Sequence, residues 1–150
     1  MTFVTQRIEP TSSGIHVRYF IPNDPPDLNR FVGIAWDEVA AVLGYRIQYE
    51  KRGDVFRVLD IYHDDGMLTN FIDAPHTEGW NELVDSMSTH LTLETDLLQR
   101  LESIDEHKRW LRESDWRQLL VYQRDKELPG LIAAQCEFCD GSIMRIESLD

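Results

Sequence analysis

Cys136 and Cys139 are the two cysteines of the chain, and the Cys-x-x-Cys spacing is one at which two thiolates grip a single metal ion from a tight turn. A closed zinc site needs two more ligands. With no second cysteine pair they would have to come from His16, His63, His76, His90 or His107, whose spacing follows no metal-binding pattern. Redox use of the same pair belongs at a helix start, where the dipole lowers the first thiol's pKa. Here Phe138 and Asp140-Gly141 mark a strand running into a turn, so neither use is expected, and no metal or other cofactor with it.

His63-Asp64-Asp65-Gly66 offers an imidazole beside two carboxylates, a trio that serves general bases and metal sites alike. Gly beside Asp between two β-rich runs is also what a hairpin turn requires, and that is the expected role. Asp105-Glu106-His107 could pair a carboxylate with an imidazole, but adjacent positions of a helix point about 100° apart, so a solvated helix face is expected there. Ser12 and Ser13 lack a Gly-x-Ser-x-Gly context, and neither a Gly-rich phosphate loop nor His-Glu-x-x-His occurs. The chain is therefore not expected to be an enzyme. Trp110 and Trp116 flank an acidic stretch, a setting that suits interface anchors, with core packing as the alternative use.

The elements that carry these residues follow from hydropathy period and turn chemistry. Residues 3–8 and 15–21 read as two strands joined by the turn-rich Pro10 to Gly14, and the prolines of residues 22–27 mark a loop. Residues 39–49, 55–62 and 67–72 read as an antiparallel meander, punctuated by Lys51-Arg-Gly-Asp54 and by the His63 turn. Trp80, Leu83, Val84, Met87 and Leu91 fall on one helical face, with Thr77 as N-cap. A second helix is expected over residues 95–111, capped by Thr95 and striped by Leu97, Leu98, Leu101, Ile104 and Leu111. Short strands follow at residues 116–123, 131–134 and 143–146. At 150 residues this is one core and one α+β domain, spanning residues 1–150.

Composition limits the partners. With 27 acidic against 15 basic residues the net charge is −12, a field that repels phosphate backbones and anionic lipid, so neither nucleic acid nor membrane is expected. Residues 1–76 carry 11 acids and 7 bases (−4) and residues 77–150 carry 16 acids and 8 bases (−8), which places the pull on a cation in the second half. Acidity that merely keeps the protein soluble is the plainer explanation. The N-terminus has no basic region followed by an apolar run, and no stretch approaches the roughly 20 apolar residues of a membrane span. The cysteine pair is too closely spaced to clip a long loop, which fits a reducing cytoplasm.

Ile34-Ala-Trp-Asp-Glu-Val39, the strands with acidic turns, and the Gly79-Trp80 helix start with Leu83 and Leu91 together resemble small bacterial pleckstrin-homology-like proteins, uncharacterised or of toxin-immunity type. The likeness covers roughly residues 31–91. It implies a bent antiparallel sheet packed with two helices, a scaffold that hosts unrelated binding roles. Phosphoinositide recognition is not carried over, since the first hairpin offers Ser12, Ser13 and Gly14 where clustered cations would be needed. The expected function is an immunity protein that occludes a basic toxin domain. Glu94, Asp96, Glu102, Asp105, Glu106 and Glu113 would steer the partner, and Trp110 and Trp116 would anchor it. The alternative is an adaptor or assembly subunit that self-associates, as a homodimer for example, or joins a secretion-system component.

Overall fold

The computed structural model describes residues 6–20, 30–91, 97–111, 116–124 and 144–148, and for residues 30, 31, 97, 98, 116 and 144–148 the backbone alone. The proline-rich loop, Thr95, the strand expected at residues 131–134 and the cysteine pair lie outside the described residues.

Ten strands and two α-helices occur among the described residues, an α+β architecture. The strands are β1 (Gln6–Pro10), β2 (Gly14–Tyr19), β3 (Arg30–Ala35), β4 (Val39–Gln48), β5 (Val55–His63), β6 (Leu68–Asp73), β7 (Thr77–Glu78), β8 (His107–Lys108), β9 (Trp116–Gln123) and β10 (Met144–Ser148). The helices are α1 (Trp80–His90) and α2 (Leu97–Glu102). Where one bent sheet was expected, hydrogen bonding divides the strands into two sheets, ordered β3-β2-β1-β7 and β10-β9-β4-β5-β6, with β8 along β4. Both are mainly antiparallel; β7 on β1, β8 on β4 and β10 on β9 pair in parallel.

The first hairpin closes where Thr11 Oγ1 accepts from the Gly14 amide at 3.1 Å. Phe31 to Ala35 was expected only to precede the meander, but it pairs with β2 over its whole length, from Tyr19↔Arg30 to Gly14↔Ala35. A single 3-10 turn, Trp36–Glu38, then passes the chain from one sheet to the other. Trp36 holds that junction: its indole N–H donates to Thr11 O at 2.9 Å and its ring stacks on His90, at the end of α1, with 4.7 Å between centroids. The expected meander forms as β4, β5 and β6.

One apolar cluster joins the layers. Ile8, Ile15, Val17 and Ile34 of the first sheet share it with Val42, Leu59, Ile61, Phe71, Leu119 and Val121 of the second, together with the buried residues of α1 and Leu101 of α2. Helix α1 buries Trp80, Leu83, Val84 and Met87, the face its spacing announced. Its N-cap is Gly79, not Thr77, which instead pairs with Gln6 in β7.

The second helix is much shorter than residues 95–111. At Ser103 the helix tightens: its amide and its hydroxyl both donate to Arg100 O, at 3.1 and 2.6 Å, the local competition by which serine ends helices. Arg46 Nε then donates to Ile104 O at 3.0 Å. Beyond this, residues 107–108 run beside β4, in register Ile47↔His107 and Gln48↔Lys108. Ile104 stays in the core, but Leu111 is exposed.

Candidate functional site

The expected partner-binding residues divide by place. Glu94, Asp96 and Glu113, and the Trp116 side chain, lie outside the described residues, although Trp116 opens β9. Glu102, Asp105, Glu106 and Trp110 are brought against β4 and β9 of the second sheet. Arg46 of β4 faces both Glu102 and Glu106, each at 3.8 Å, and Arg117 of β9 faces Asp105 at 3.6 Å. Gln48 lies two residues beyond Arg46 and so on the same face of β4, about 7 Å further along the strand. Its Oε1 accepts from the Trp110 indole at 3.2 Å. Glu102, Glu106 and Trp110 thus form one strip, held by alternate residues of β4, with Asp105 held by β9. Three carboxylates against two guanidinium groups leave the strip close to neutral. Its long-range pull on a cation therefore rests on the net −12 of the whole chain.

Trp110 is 37% exposed and Tyr49, at the start of the β4–β5 turn, 45%. Lys51 Nζ stands 5.9 Å from the Trp110 ring centroid, within cation–π range. Burial pushes the Tyr49 hydroxyl pKa up, and the nearby Arg109 charge opposes it. Two large aromatics in partial solvent, fixed on a strand end and a tight turn, have the chemistry of an interface anchor. Because the Trp110 indole makes an exposed hydrogen bond, Trp110→Ala should cost less than about 1 kcal/mol of stability. Thermal unfolding checks this, and a larger loss would mean that the ring is part of the core.

A second polar feature lies on the face of the large sheet opposite the main core. Asp60 sits across from Leu43 on β4 and Asn70 on β6, and is 5% exposed among Leu43, Tyr45, Ile47, Val58 and Tyr62. Asn70 Nδ2 donates to Asp60 Oδ1 at 2.6 Å and to Tyr45 Oη at 3.3 Å. Burial pushes the Asp60 pKa up to about 6, while the bonds from Asn70 and Tyr45 pull it down. Burial, with the Asp60 charge beside it, raises the Tyr45 hydroxyl as well. The signal in the sequence was a carboxylate in the middle of the apolar run Val58-Leu-Asp-Ile-Tyr62, where a charge has no solvent to face.

The remaining chemical motifs have structural uses. His63 Nε2 bonds Thr69 Oγ1 at 2.8 Å, Asp64 pairs with Arg124, and Asp65 Oδ1 accepts the Met67 amide at 2.9 Å, closing the β5–β6 turn. The Arg124 hydrogen bond holds the Asp64 carboxyl below its ordinary pKa. Asp105-Glu106-His107 is not a helix face: the three leave α2, and His107 is buried in β8. Among the described residues no three His, Cys, Asp or Glu gather as a metal site, and no helix is long and apolar enough to cross a membrane. Comparison with protein-family models, with curated proteins and with solved structures finds no match to this chain.

Proposed function

We propose that this protein is a non-catalytic, acidic binding protein that captures a basic protein partner, such as the toxin domain met by an immunity protein, and occludes it. The observation that carries the reading is the strip on β4, where Glu102, Glu106 and Trp110 are held side by side through Arg46 and Gln48. Charge brings the partner in, and the exposed ring holds it. At physiological salt the screening length is about 8 Å, so steering acts only over the last approach and desolvated aromatic contact sets the residence time.

The pleckstrin-homology-like likeness belongs to the same proposal. It is supported by the meander that follows Trp36 and by α1, which begins at Gly79-Trp80 and packs between the sheets. A cytoplasmic setting agrees with the sparse cysteine content.

The test is kinetic. Asp105→Lys with Glu106→Lys should slow association with the basic partner about tenfold at low salt and flatten its salt dependence. Trp110→Ala should mainly speed dissociation. An association rate and salt dependence unchanged by the two charge reversals would rule out this surface.

A further inference from the structure

Strand β3 ends the first sheet: among the described residues its one neighbour is β2. The direction of its backbone groups follows from the ladder. The Trp36 amide donates to Ser13 O at 3.3 Å and continues the β2–β3 register by one step, and bonded and non-bonded positions alternate along an antiparallel pair. Arg30, Val32 and Ile34 therefore direct their amides and carbonyls to β2, while those of Phe31, Gly33 and Ala35 point away from the sheet. Two other edges are closed off. Strand β7 meets β1 at Gln6 and Arg7, and Pro10 beyond them has no amide to donate. At β6, Gln6 Nε2 donates to Asn70 O at 3.2 Å. Residues 31–35 of β3 carry neither a charge nor a proline, which are among the devices that guard an edge against pairing.

We propose that two copies of this chain pair edge to edge through β3, antiparallel about a two-fold axis at Gly33, so that their first sheets join into one. The edge is complementary to itself. With Gly33 on the axis, Phe31 falls opposite the second copy's Ala35 and Ala35 opposite its Phe31, so all three outward-directed residues enter bonded pairs, each exchanging two hydrogen bonds. The same register sets Val32 opposite the second copy's Ile34. Both belong to the core side of the sheet, where Ile34 is buried and Val32 partly buried, and the apolar layer continues across the axis. A slip by one residue would set outward-directed groups against groups already bonded to β2 and exchange the two faces of the strand. At either end the register brings Arg30 beside the second copy's Trp36–Glu38 turn, in which Asp37 and Glu38 are exposed, so opposite charges meet there. Because the axis occupies the β3 edge of both copies, association stops at two. The inference uses the first sheet alone and is independent of the strip on β4 and of the basic partner proposed above.

The experiment is sedimentation of the pure protein from micromolar to millimolar concentration at about 0.1 M salt, where a screening length of about 10 Å limits the repulsion between two chains of net charge −12. The wild type should rise to the mass of two chains and stop there. Gly33 is exposed and lies in β3 without a positive φ, so Gly33→Lys and Gly33→Glu should each keep the circular dichroism of the wild type. Each alone should stay monomeric, since the axis sets two like charges side by side, and an equal mixture of the two should pair again. Hydrogen exchange on the wild type tests the same edge without a variant. The amides of Phe31, Gly33 and Ala35 should exchange about tenfold more slowly at the highest concentration than at the lowest, while those of Val32 and Ile34 are slow at both. A wild type that stays monomeric or grows past two chains, single variants that pair as the wild type does, a folded mixture that does not pair, or outward amides whose exchange ignores concentration would overturn the proposal.

Discussion

Asp60→Asn should raise the stability of the protein by roughly 2–3 kcal/mol at pH 8 and leave it nearly unchanged at pH 3.5. Asp60 lies in a near-dry layer of sheet, and its folded pKa of about 6 stands above the ordinary 3.8. A carboxyl with that displacement binds its proton more readily when folded, so above pH 6 its ionised form opposes folding in full. The penalty shrinks as pH falls from about 6 to 3.8 and is absent below. The gap corresponds to roughly 3 kcal/mol. Asparagine retains an acceptor for Asn70 Nδ2 and brings no charge, so it removes the penalty without opening a hole. Thermal unfolding at the two pH values measures it: a rise of about 6 °C at pH 8 that disappears at pH 3.5 is expected for a domain of this size. A loss of stability at pH 8 would show that the carboxylate is held by more than the bonds from Asn70 and Tyr45.

Gly79→Ala should destabilise by more than about 3 kcal/mol, or leave β1 and the start of α1 unpaired. Gly79 adopts φ +91°, and a Cβ built on it would lie 2.1 Å from Ile8 O and 3.0 Å from Ile8 C. The atoms in the way are backbone. Ile8 is locked opposite Val17 in the β1–β2 ladder, and the adjoining Glu78 pairs with Arg7, so neither side can yield cheaply. Loss of glycine's freedom in the unfolded chain would stabilise by only about 0.4–1 kcal/mol, too little to compensate. Gly53→Ala is the matched control, since its Cβ would meet the Glu50 side chain and carbonyl at 3.3 Å. It should stay within about 1 kcal/mol of wild type in chemical denaturation. Equal stability of the two variants would mean that the strand and helix separate easily at this corner.

The parts of the fold written in local pattern were legible, and those made by distant pairing were not. Asp-Gly punctuation located the β4–β5–β6 meander to within one residue, and the period of Trp80, Leu83, Val84 and Met87 located α1. The second helix was overextended because Ile104 and Leu111 continue its stripe, while Ser103 ends it by donating to Arg100 O, and residues 107–108 beyond it pair with β4. Strand β3 was overlooked because Phe31-Val-Gly-Ile-Ala35 does not alternate in polarity, and its partner β2 lies across the proline-rich segment. At the site, Trp110 was identified by residue type and acidic neighbours. Its position beside Gln48 and Lys51 follows from the parallel pairing of β8, which no local pattern announces. Tyr49 and Asp60 were passed over inside strands that read as ordinary apolar runs.

The most direct test of the binding role is capture from native lysate at low salt with three tagged baits: the wild type, the Asp105→Lys/Glu106→Lys variant and the Trp110→Ala variant, each eluted by raising the salt. One basic protein is expected on the wild-type bait, released by salt and reduced at least about tenfold on both variants. Equal recovery of that protein on all three baits, or recovery of no basic protein by the wild type, would contradict the binding role.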